Sequence, residues 1–384
     1  MKILIVCPYY FPYTSGMTVH VQRVAEGLAK RGYQVRILTH NHNHLPRNEK
    51  KNNIEITRVP AFVKIGRGIF SPWMTKRFLE ILGWADIVNI HAPFFECGLL
   101  AKLARNKKKK IVFTYHCDLI HTGLISPIIV NRLHRISVEE AARNSDAIIV
   151  NSRDYASKSF VKNFLQKTYE VPPPIDDSKF ERASFADFRK KYSIKKDDFV
   201  AGFLGRLTWE KGVENLVGAA DLLKKKIPGL KVLIGGEGVL VAGGRRESMM
   251  SRLKEIVKKT GLEKVVIFAG RIPDKDINKF YSALDVFILP SVNKLESFGM
   301  VQIESMLCGT PVIASNLSGV CEPIRKTGFG ISVKPGSPAE LASAILKLRK
   351  SRKKYIPERK KIMDHFSLEK TLDGYEEVFM STFL

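Results

Sequence analysis

The feature that most constrains the fold is a regular alternation of short apolar segments with amphipathic segments along the whole chain of 384 residues. Lys2–Cys7 is a nearly continuous run of Ile, Leu and Val, the pattern of a strand buried on both faces. Val19–Lys30 then places its apolar residues at helical spacing, and Gly32 ends that helix. Strand–helix alternation of this kind predicts an α/β fold with parallel sheets and helices on both faces.

The alternation is interrupted once, at Val171–Pro174, where three successive prolines lack the backbone N–H that a helix or central strand requires. We therefore predict two doubly wound, Rossmann-like domains, 1–172 and 173–366, and a C-terminal helix in 367–384 that packs back toward the first domain. Helices are predicted near 96–105 and 127–143. The remaining predicted strands are Val35–Thr39, Ile54–Val59, Ile87–Ile90, Ile111–Tyr115, Ala147–Val150, Phe199–Leu204, Val232–Ile234, Val265–Phe268, Val286–Leu289 and Pro311–Ala314.

Composition narrows the possible functions. The chain carries 63 Lys and Arg against 38 Asp and Glu, a formal net charge of +25. This charge fits nucleic acid, an anionic membrane, an anionic substrate, or simply a Lys-rich surface. No apolar run reaches the roughly 18–20 residues of a membrane-spanning helix, and Met1–Cys7 lacks the pattern of a signal peptide. The five cysteines include no Cys-x-x-Cys pair, so we expect reduced thiols in a cytoplasmic protein.

Ligands of doubly wound domains bind beyond the carboxyl ends of the strands, and two such domains facing each other would form a cleft. In the first domain, Gly16 and Met17 follow the first strand at the start of a helix, where free N–H groups favour an anion. His116 follows the strand Ile111–Tyr115 and is able to hydrogen-bond a hydroxyl group or transfer a proton. Neither a dinucleotide fingerprint nor a P-loop is present.

In the second domain, Gly205 and Arg206 end a strand, and Lys211 lies five residues beyond Arg206 in the same strand-to-helix turn. Two fixed cations at this position suit a diphosphate, which Arg binds bidentately and Lys binds as a point charge. A turn at residues 270–273 contains Arg271 and Ile272, and it could line a pocket for a base or be an ordinary turn.

The most specific motif is Glu296-Ser297-Phe298-Gly299-Met300-Val301-Gln302-Ile303-Glu304. Gly299 precedes a short helix and leaves the amides of 299–301 available to an anion. That helix is apolar on nearly all sides, so we predict that Glu304 is buried and needs hydrogen bonds, either from ribose hydroxyls or from an internal partner. Asp274–Asp276, the one Asp-x-Asp, follows a proline and is interpreted as a helix cap rather than a metal site.

Together these motifs resemble a retaining GT-B glycosyltransferase of glycosyltransferase family four, over essentially the whole chain. The resemblance implies that Arg206 and Lys211 hold the donor diphosphate and that Glu304 holds the ribose. It also implies that Glu296 and His116 contact the transferred sugar. The remaining donor contacts are assigned to Gly16, Gly205, Ser297, Phe298, Gly299, Met300, Val301, Arg271 and Ile272. No metal or other cofactor is expected.

The acceptor side is assigned to Met17 and Asp118, although the family often has a second glycine where Met17 stands. Lys64–Leu82 combines basic residues with Trp and Phe, and Leu124–Ile129 adds an apolar loop. A helix over the first segment would suit an anionic membrane surface, or equally would pack on the core.

We therefore predict transfer of a hexose from a UDP- or GDP-sugar to a lipid-linked or glycan acceptor, in glycolipid or cell-surface polysaccharide synthesis, at the cytoplasmic face of the membrane. A GT-B epimerase or phosphorylase is the alternative enzyme. Nucleic-acid binding rests only on the basic runs Arg349–Lys354 and Arg359–Lys361, which lack interleaved aromatic residues, so no nucleic acid is expected as a partner.

Overall fold

The computed structural model describes residues 1–42, 44–65, 68–121, 126–238 and 249–384. The chain divides into two compact units. Unit 1 contains Met1–Pro174 and Ser367–Leu384, and unit 2 contains Ile175–Phe366.

Unit 1 is built on a sheet that is parallel except at one edge. Its strand order among the described residues is β10-β9-β8-β7-β1-β2-β4-β3, and only β3 runs antiparallel to its neighbour. The sheet order therefore reverses between β1 and β7. The strands of unit 1 are β1 (Lys2–Val6), β2 (Gln34–His40), β3 (Asn48–Lys51), β4 (Ile54–Val59), β5 (Val63–Ile65), β6 (Gly68–Phe70), β7 (Ile87–Ala92), β8 (Lys110–Tyr115), β9 (Ala147–Val150) and β10 (Thr168–Glu170).

Helices cover both faces of this sheet, which explains why its central strands are apolar on both sides. The helix α14, from the end of the chain, packs on α1, and Leu372 lies so close to Gly27 that a Cβ there would come within 2.6 Å of it. Arg31 at the end of α1 forms ion pairs with Glu369, Asp373 and Glu376 of α14. The helices of unit 1 are α1 (Gly16–Lys30), α2 (Pro72–Leu82), α3 (Cys97–Asn106), α4 (Pro127–Asn144), α5 (Arg153–Ala156) and α14 (Leu368–Ser381).

Unit 2 contains a fully parallel sheet with the order β13-β12-β11-β14-β15-β16 among the described residues. This is the doubly wound order, with its reversal between β11 and β14. The elements of unit 2 are β11 (Phe199–Leu204), β12 (Leu230–Gly235), β13 (Val266–Gly270), β14 (Val286–Leu289), β15 (Val312–Ser315), β16 (Gly330–Val333), α6 (Ala186–Lys191), α7 (Val213–Leu223), α8 (Met249–Lys259), α9 (Ile277–Ser282), α10 (Val301–Leu307), α11 (Glu322–Thr327), α12 (Pro338–Lys350) and α13 (Arg359–Met363).

The predicted α/β class with two doubly wound domains is confirmed. The prediction of one helix over Lys64–Leu82 is wrong in its first half, because Val63–Ile65 pairs antiparallel with Gly68–Phe70 before α2 begins at Pro72. Arg67 of that predicted helix lies outside the described residues. Leu124 and Ile125 of the predicted apolar loop also lie outside them, whereas residues 127–129 form the first turn of α4.

Candidate active site

The reversal in the sheet of unit 2 places the loops after β11 and β14 beside each other. The loop after β11 pairs with that after β12, because Gly205 N donates to Gly235 O at 3.1 Å and Leu207 N donates to Glu237 O at 2.9 Å. Gly236 has φ +126°, and a Cβ on it would stand 1.8 Å from the Gly205 carbonyl oxygen. Only glycine permits this approach, which fixes the position of Arg206.

Lys211 is positioned by a second close approach. A short 3₁₀ turn, Trp209–Lys211, ends at Gly212 with φ +60°, and a Cβ on Gly212 would lie 2.3 Å from the Pro290 carbonyl oxygen. Val292 N donates to the Glu210 carbonyl oxygen at 2.9 Å, so the loops after β11 and β14 are joined directly. This joint brings Lys211 to Glu296.

Lys211 and Glu296 form an ion pair between Nζ and Oε2, and both side chains are mostly buried. Ser291 Oγ donates to the same carboxylate oxygen at 3.4 Å. The Arg206 side chain is exposed, and its guanidinium makes no hydrogen bond or ion pair with the described residues. The structure thus brings Lys211 and Glu296 together and leaves Arg206 as the uncommitted cation of this loop, a division that the sequence motifs do not predict.

Glu304 lies on α10 and is half-buried rather than fully buried as predicted. Tyr281 OH donates to Glu304 Oε2 at 3.0 Å, so an internal partner is present. Burial, with a further contribution from the Glu304 carboxylate, raises the pKa of Tyr281 well above its usual range. Glu304 is therefore held in place by a neutral phenol.

The segment between Glu296 and α10 combines anchoring with unused amides. Phe298 is buried and packs against Phe366 at a centroid distance of 5.9 Å, and Gln302 Nε2 donates to the Phe298 carbonyl oxygen at 3.0 Å. Gly299 has φ +81°, and α10 begins at Val301. Within the described part of the chain, the amides of 298–300, which include Met300, donate no hydrogen bond.

Arg271 and Ile272 follow β13 at the same edge of the sheet. The loops after β12 and β13 are joined where Gly236 N donates to Gly270 O at 2.8 Å. Arg271 is exposed, whereas Ile272 is 7% exposed and packs beneath Gly235. Ser297 is half-buried in the neighbouring loop. The donor residues predicted in unit 2 therefore lie in the loops that follow its strands, except Val301 and Glu304, which lie on α10.

In unit 1, the first helix starts as the sequence motif suggests. Ser15 caps α1 through a capping box with Thr18, and Gly16 is exposed in its first turn. Met17 is half-buried and packs against the core instead of projecting fully into solvent.

His116, 7% exposed, belongs to a polar cluster that sequence analysis does not anticipate. Its Nε2 lies 3.0 Å from Nδ1 of His91, and His91 Nε2 lies 2.7 Å from Oδ1 of Asn89. Burial lowers the pKa of His116 to about 3. Burial, followed by the proximity of His116, lowers the pKa of His91 well below its usual range.

The cluster extends to α1 and α14. His20 Nε2 lies 2.9 Å from Tyr375 OH, and the ring of His20 meets that of His116 edge-on at a centroid distance of 4.7 Å. Burial lowers the pKa of His20 well below its usual range, with smaller contributions from His116 and His91. The available sequence signal was Asn89 and His91, two polar residues at alternate positions of an apolar strand.

Asp118, which is predicted to contact the acceptor, is fully buried. One carboxylate oxygen accepts from Tyr115 OH and from Phe160 N, the latter at 3.1 Å, and the backbone N of Asp118 donates to Tyr155 OH at 2.9 Å. These bonds hold the loop after β8 in the core, and the assignment of Asp118 to the acceptor stays a prediction.

Two global features concern the described residues as a whole. No three His, Cys, Asp or Glu side chains in this part of the chain are grouped as ligands for a metal ion. No described helix has the length and apolarity needed to cross a membrane.

Comparisons with known proteins cover nearly the entire chain. Residues 14–179 match the model of Glycosyltransferase Family 4, and residues 184–362 match that of Glycosyl transferases group 1. An uncharacterized glycosyltransferase of Methanocaldococcus jannaschii is 27% identical over 89% of this chain and 87% of its own. Alpha-monoglucosyldiacylglycerol synthase of Streptococcus pneumoniae is 29% identical over 82% of this chain and 71% of its own.

The fold comparison agrees. Sucrose-phosphate synthase from Thermosynechococcus elongatus superimposes with a TM-score of 0.79 at 21% identity, over 100% of this chain and 99% of that one. The two family models together account for both halves of the sequence. The chain therefore belongs to the group 1 glycosyltransferases of glycosyltransferase family four, has the GT-B fold, and is an enzyme of the hexosyltransferase class.

Proposed function

We propose that the protein is a retaining glycosyltransferase that moves a hexose from a UDP- or GDP-sugar to a lipid-linked or glycan acceptor in glycolipid or cell-surface polysaccharide synthesis. The observation that carries the proposal is the arrangement at the sheet reversal of unit 2. There Arg206, whose guanidinium has no partner among the described residues, accompanies the Lys211–Glu296 ion pair at the place where doubly wound sheets bind nucleotides.

The leaving group of such a reaction is a nucleoside diphosphate, so catalysis requires positive charge where negative charge develops. Arg206 binds the diphosphate bidentately, and Lys211 exchanges its bond with Glu296 for one with a phosphate oxygen. Glu296 is then available to accept hydrogen bonds from hydroxyls of the donor sugar. We expect no metal ion to be required, since these cations and the amides of the loop supply the stabilisation.

The other donor contacts follow the loops around this pair. Glu304, oriented by Tyr281, accepts from the ribose hydroxyls. The amides of the loop that leads into α10 hold phosphate and sugar. Gly205, Arg271 and Ile272 border the nucleotide, and in unit 1 Gly16 and His116 contact the substrate. Support for the donor class comes from HepE of Anabaena, solved with UDP-glucose, whose fold matches with a TM-score of 0.77 at 21% identity over 99% of this chain and all of that one.

A lipid-linked acceptor is supported by one exposed face of α4. Ile128, Ile129, Leu133 and Ile136 are 81%, 59%, 56% and 52% exposed, and they lie within about 140° of arc at 100° per residue. Arg132 is exposed on the same face. Apolar side chains mixed with cations suit the surface of an anionic bilayer. The name of the Streptococcus pneumoniae relative gives a glucosylated diacylglycerol as its product, which supports a lipid acceptor. We propose peripheral attachment at the cytoplasmic face of the membrane.

The donor assignment is tested by thermal shift against UDP-, GDP- and ADP-sugars. We expect one nucleotide class to stabilise the protein strongly. Arg206→Ala should weaken the binding of that donor by roughly 10- to 100-fold, since a hydrogen bond to a charged group contributes about 1.5–3 kcal/mol. Arg252→Ala, which removes an exposed arginine of α8, is the matched control and should retain the shift.

The thermal shift caused by the donor should depend on both Arg206 and Lys211. Lys211→Ala should likewise reduce the shift, and unchanged shifts in both Arg206→Ala and Lys211→Ala would refute the diphosphate assignment. For a donor that binds, hydrolysis or transfer in the presence of EDTA tests metal independence, and the anomeric configuration of the product tests retention.

A further inference from the structure

The buried polar cluster of unit 1 determines where the proton of His116 lies. Asn89 and His91 occupy alternate positions of β7, so both side chains lie on one face of the sheet. In the parallel register of β7 with β8, Asn89 pairs with Val112 and His91 pairs with Thr114, and His116 follows two residues later. Asn89, His91 and His116 thus form a continuous chain of hydrogen bonds from the strand interior to the end of the sheet.

The orientation of the Asn89 amide is set by a backbone group. Its Nδ2 lies 3.0 Å from the Val112 carbonyl oxygen and 2.9 Å from Thr114 Oγ1. A carbonyl oxygen only accepts, so the amide atom that faces it is the NH₂ group. The remaining atom, Oδ1, therefore faces His91 Nε2 at 2.7 Å, and because this oxygen also only accepts, His91 Nε2 carries a proton.

The neutral state of both rings fixes the rest of the chain. Burial lowers the pKa of His91 well below its usual range, so the ring has a single proton and Nδ1 presents a lone pair. The contact of 3.0 Å between His91 Nδ1 and His116 Nε2 then requires His116 to donate. His116, with its pKa lowered to about 3, is also neutral, and its proton on Nε2 leaves Nδ1 unprotonated.

We propose that Asn89 and His91 are positioning residues that hold His116 in its Nε2–H tautomer, so that His116 Nδ1 accepts a hydrogen bond from a hydroxyl group of the sugar substrate. The use of Nδ1 rests on the proposed transferase function, whereas the tautomer itself follows from the free protein. The opposite tautomer would present an N–H to the substrate and would place two lone pairs against each other between His116 and His91.

The surrounding contacts hold these hydrogen-bonded side chains in place. Tyr375 OH lies 3.3 Å from Thr114 Oγ1 and 2.9 Å from His20 Nε2, so α14 closes the cluster over the strands. The ring of His91 stacks on that of Tyr375 at a centroid distance of 6.4 Å. Residues that neither touch a substrate nor belong to the donor motifs therefore define the hydrogen-bonding character of His116.

The direct test is long-range ¹H–¹⁵N correlation spectroscopy of the full-length protein labelled with ¹⁵N-histidine, with His116 assigned from the spectrum of His116→Gln. Protonated and unprotonated ring nitrogens have well-separated resonances. We expect His116 in the wild-type protein to show a protonated Nε2 and an unprotonated Nδ1 at neutral pH. A protonated Nδ1 on His116 would overturn the proposal, whatever the activity.

Two substitutions of His91 by residues of similar size distinguish a role in positioning His116 from a role in packing. His91→Asn keeps an acceptor near the position of Nδ1, whereas His91→Leu removes it. We expect His91→Leu to mix the tautomers of His116 and to lower kcat by about 10-fold without changing donor affinity, and His91→Asn to restore both the tautomer and most of kcat. His134→Leu, at a buried histidine outside the cluster, is the control and should leave the His116 tautomer unchanged.

The measurements distinguish two kinds of failure. An unchanged tautomer in His91→Leu, in protein that retains its thermal stability, would refute the positioning role. Absence of transfer with every nucleotide sugar, combined with the expected tautomer, would refute the proposed function and leave the tautomer assignment in place.

Discussion

Acidification should destabilise unit 1 through histidines that the fold holds neutral. Burial lowers the pKa of His116 to about 3 and that of His134 to about 4, from an ordinary value near 6.5. Well above pH 6.5, as at pH 8, neither group binds a proton in the folded or unfolded chain, so their full contribution to stability is present. As pH falls from 6.5 toward the folded values, only the unfolded chain binds protons, and stability is lost.

The size of the effect follows from the two pKa values. A pH of 5 is about 1.5 units below the pKa of an unfolded histidine, and each unit corresponds to about 1.4 kcal/mol. Each histidine therefore lowers the free energy of unfolding at pH 5 by about 2 kcal/mol. His116 and His134 together cost about 4 kcal/mol, and His20 and His91 act in the same direction. This is a large share of the roughly 5–15 kcal/mol by which domains are stable.

The assay is urea unfolding at pH 8 and pH 5 in a Trp209→Phe background. Of the three tryptophans, Trp73 and Trp84 belong to unit 1, so fluorescence then reports on that unit alone. His134→Leu is the informative variant, because within the described residues neither ring nitrogen of His134 has a hydrogen-bond partner, and its loss removes no such bond there. We expect acidification from pH 8 to pH 5 to lower the free energy of unfolding of His134→Leu by about 2 kcal/mol less than that of its parent.

His365→Leu, at an exposed histidine of unit 2, is the control and should follow its parent at both pH values. If His134→Leu loses as much stability on acidification as its parent, the reasoning from burial is wrong for that site.

Two further predictions concern the loop at Lys211 and the face of α4. Gly212→Ala should cost more stability than Gly261→Ala. Both glycines have φ near +60°, but of the two only Gly212 has atoms of described residues within 4 Å of a Cβ, the nearest being the Pro290 carbonyl oxygen. Urea unfolding should give about 1–2 kcal/mol for Gly261→Ala and at least about 1 kcal/mol more for Gly212→Ala, and equal values would refute the close approach. In vesicle flotation, the protein should bind phosphatidylglycerol vesicles in preference to phosphatidylcholine vesicles. Ile128→Asp should reduce that binding while Leu99→Asp, on the exposed side of α3, should not, and equal binding by both variants would refute the assignment of the α4 face.

The central strands of both sheets were predictable because they are buried on both faces and are therefore continuous apolar runs. Lys2–Val6 and Phe199–Leu204 are examples. The strands that were missed lie at the edges of the sheets or are very short. Asn48–Lys51 contains no apolar residue and Thr168–Glu170 has three residues, so both are strands only because a neighbour supplies the hydrogen bonds.

The segment 63–82 shows where a pattern of residue types was insufficient. Apolar and basic residues are mixed throughout it, and this mixture fits an amphipathic helix as well as a hairpin followed by a helix. Pro72 is the physical boundary, since proline is favoured in the first turn of a helix and disfavoured inside it. Greater weight on that proline would have started the predicted helix at the correct residue.

Within the candidate site, the sequence indicated which loops carry polar residues but not which of these residues neutralise each other. Arg206, Lys211 and Glu296 follow from strand ends and a motif, whereas the pairing of Lys211 with Glu296 depends on contact across 85 positions of the chain. The contact between His20 and Tyr375 spans 355 positions. Local patterns carry no information on such pairs, because the fold of the intervening residues determines the distance.

In the proposed reaction, the charges of the site give the Lys211–Glu296 ion pair a role in selecting the ligand. Arg206, Lys211, Glu296 and Glu304 sum to zero when all are ionised, and Arg271 at the border of the site adds one positive charge, so the net attraction for a phosphate that brings no sugar is small. A nucleotide sugar supplies both halves of the exchange, since its diphosphate replaces Glu296 as the partner of Lys211 and its hydroxyls replace Lys211 as the partners of Glu296. A ligand that offers only the phosphate would leave the mostly buried Glu296 carboxylate with the long bond from Ser291 in place of its ion pair, at a free-energy cost. By this argument the ion pair selects for donors that carry their sugar, and the excess of basic residues elsewhere on the chain is not needed to explain recognition of the donor.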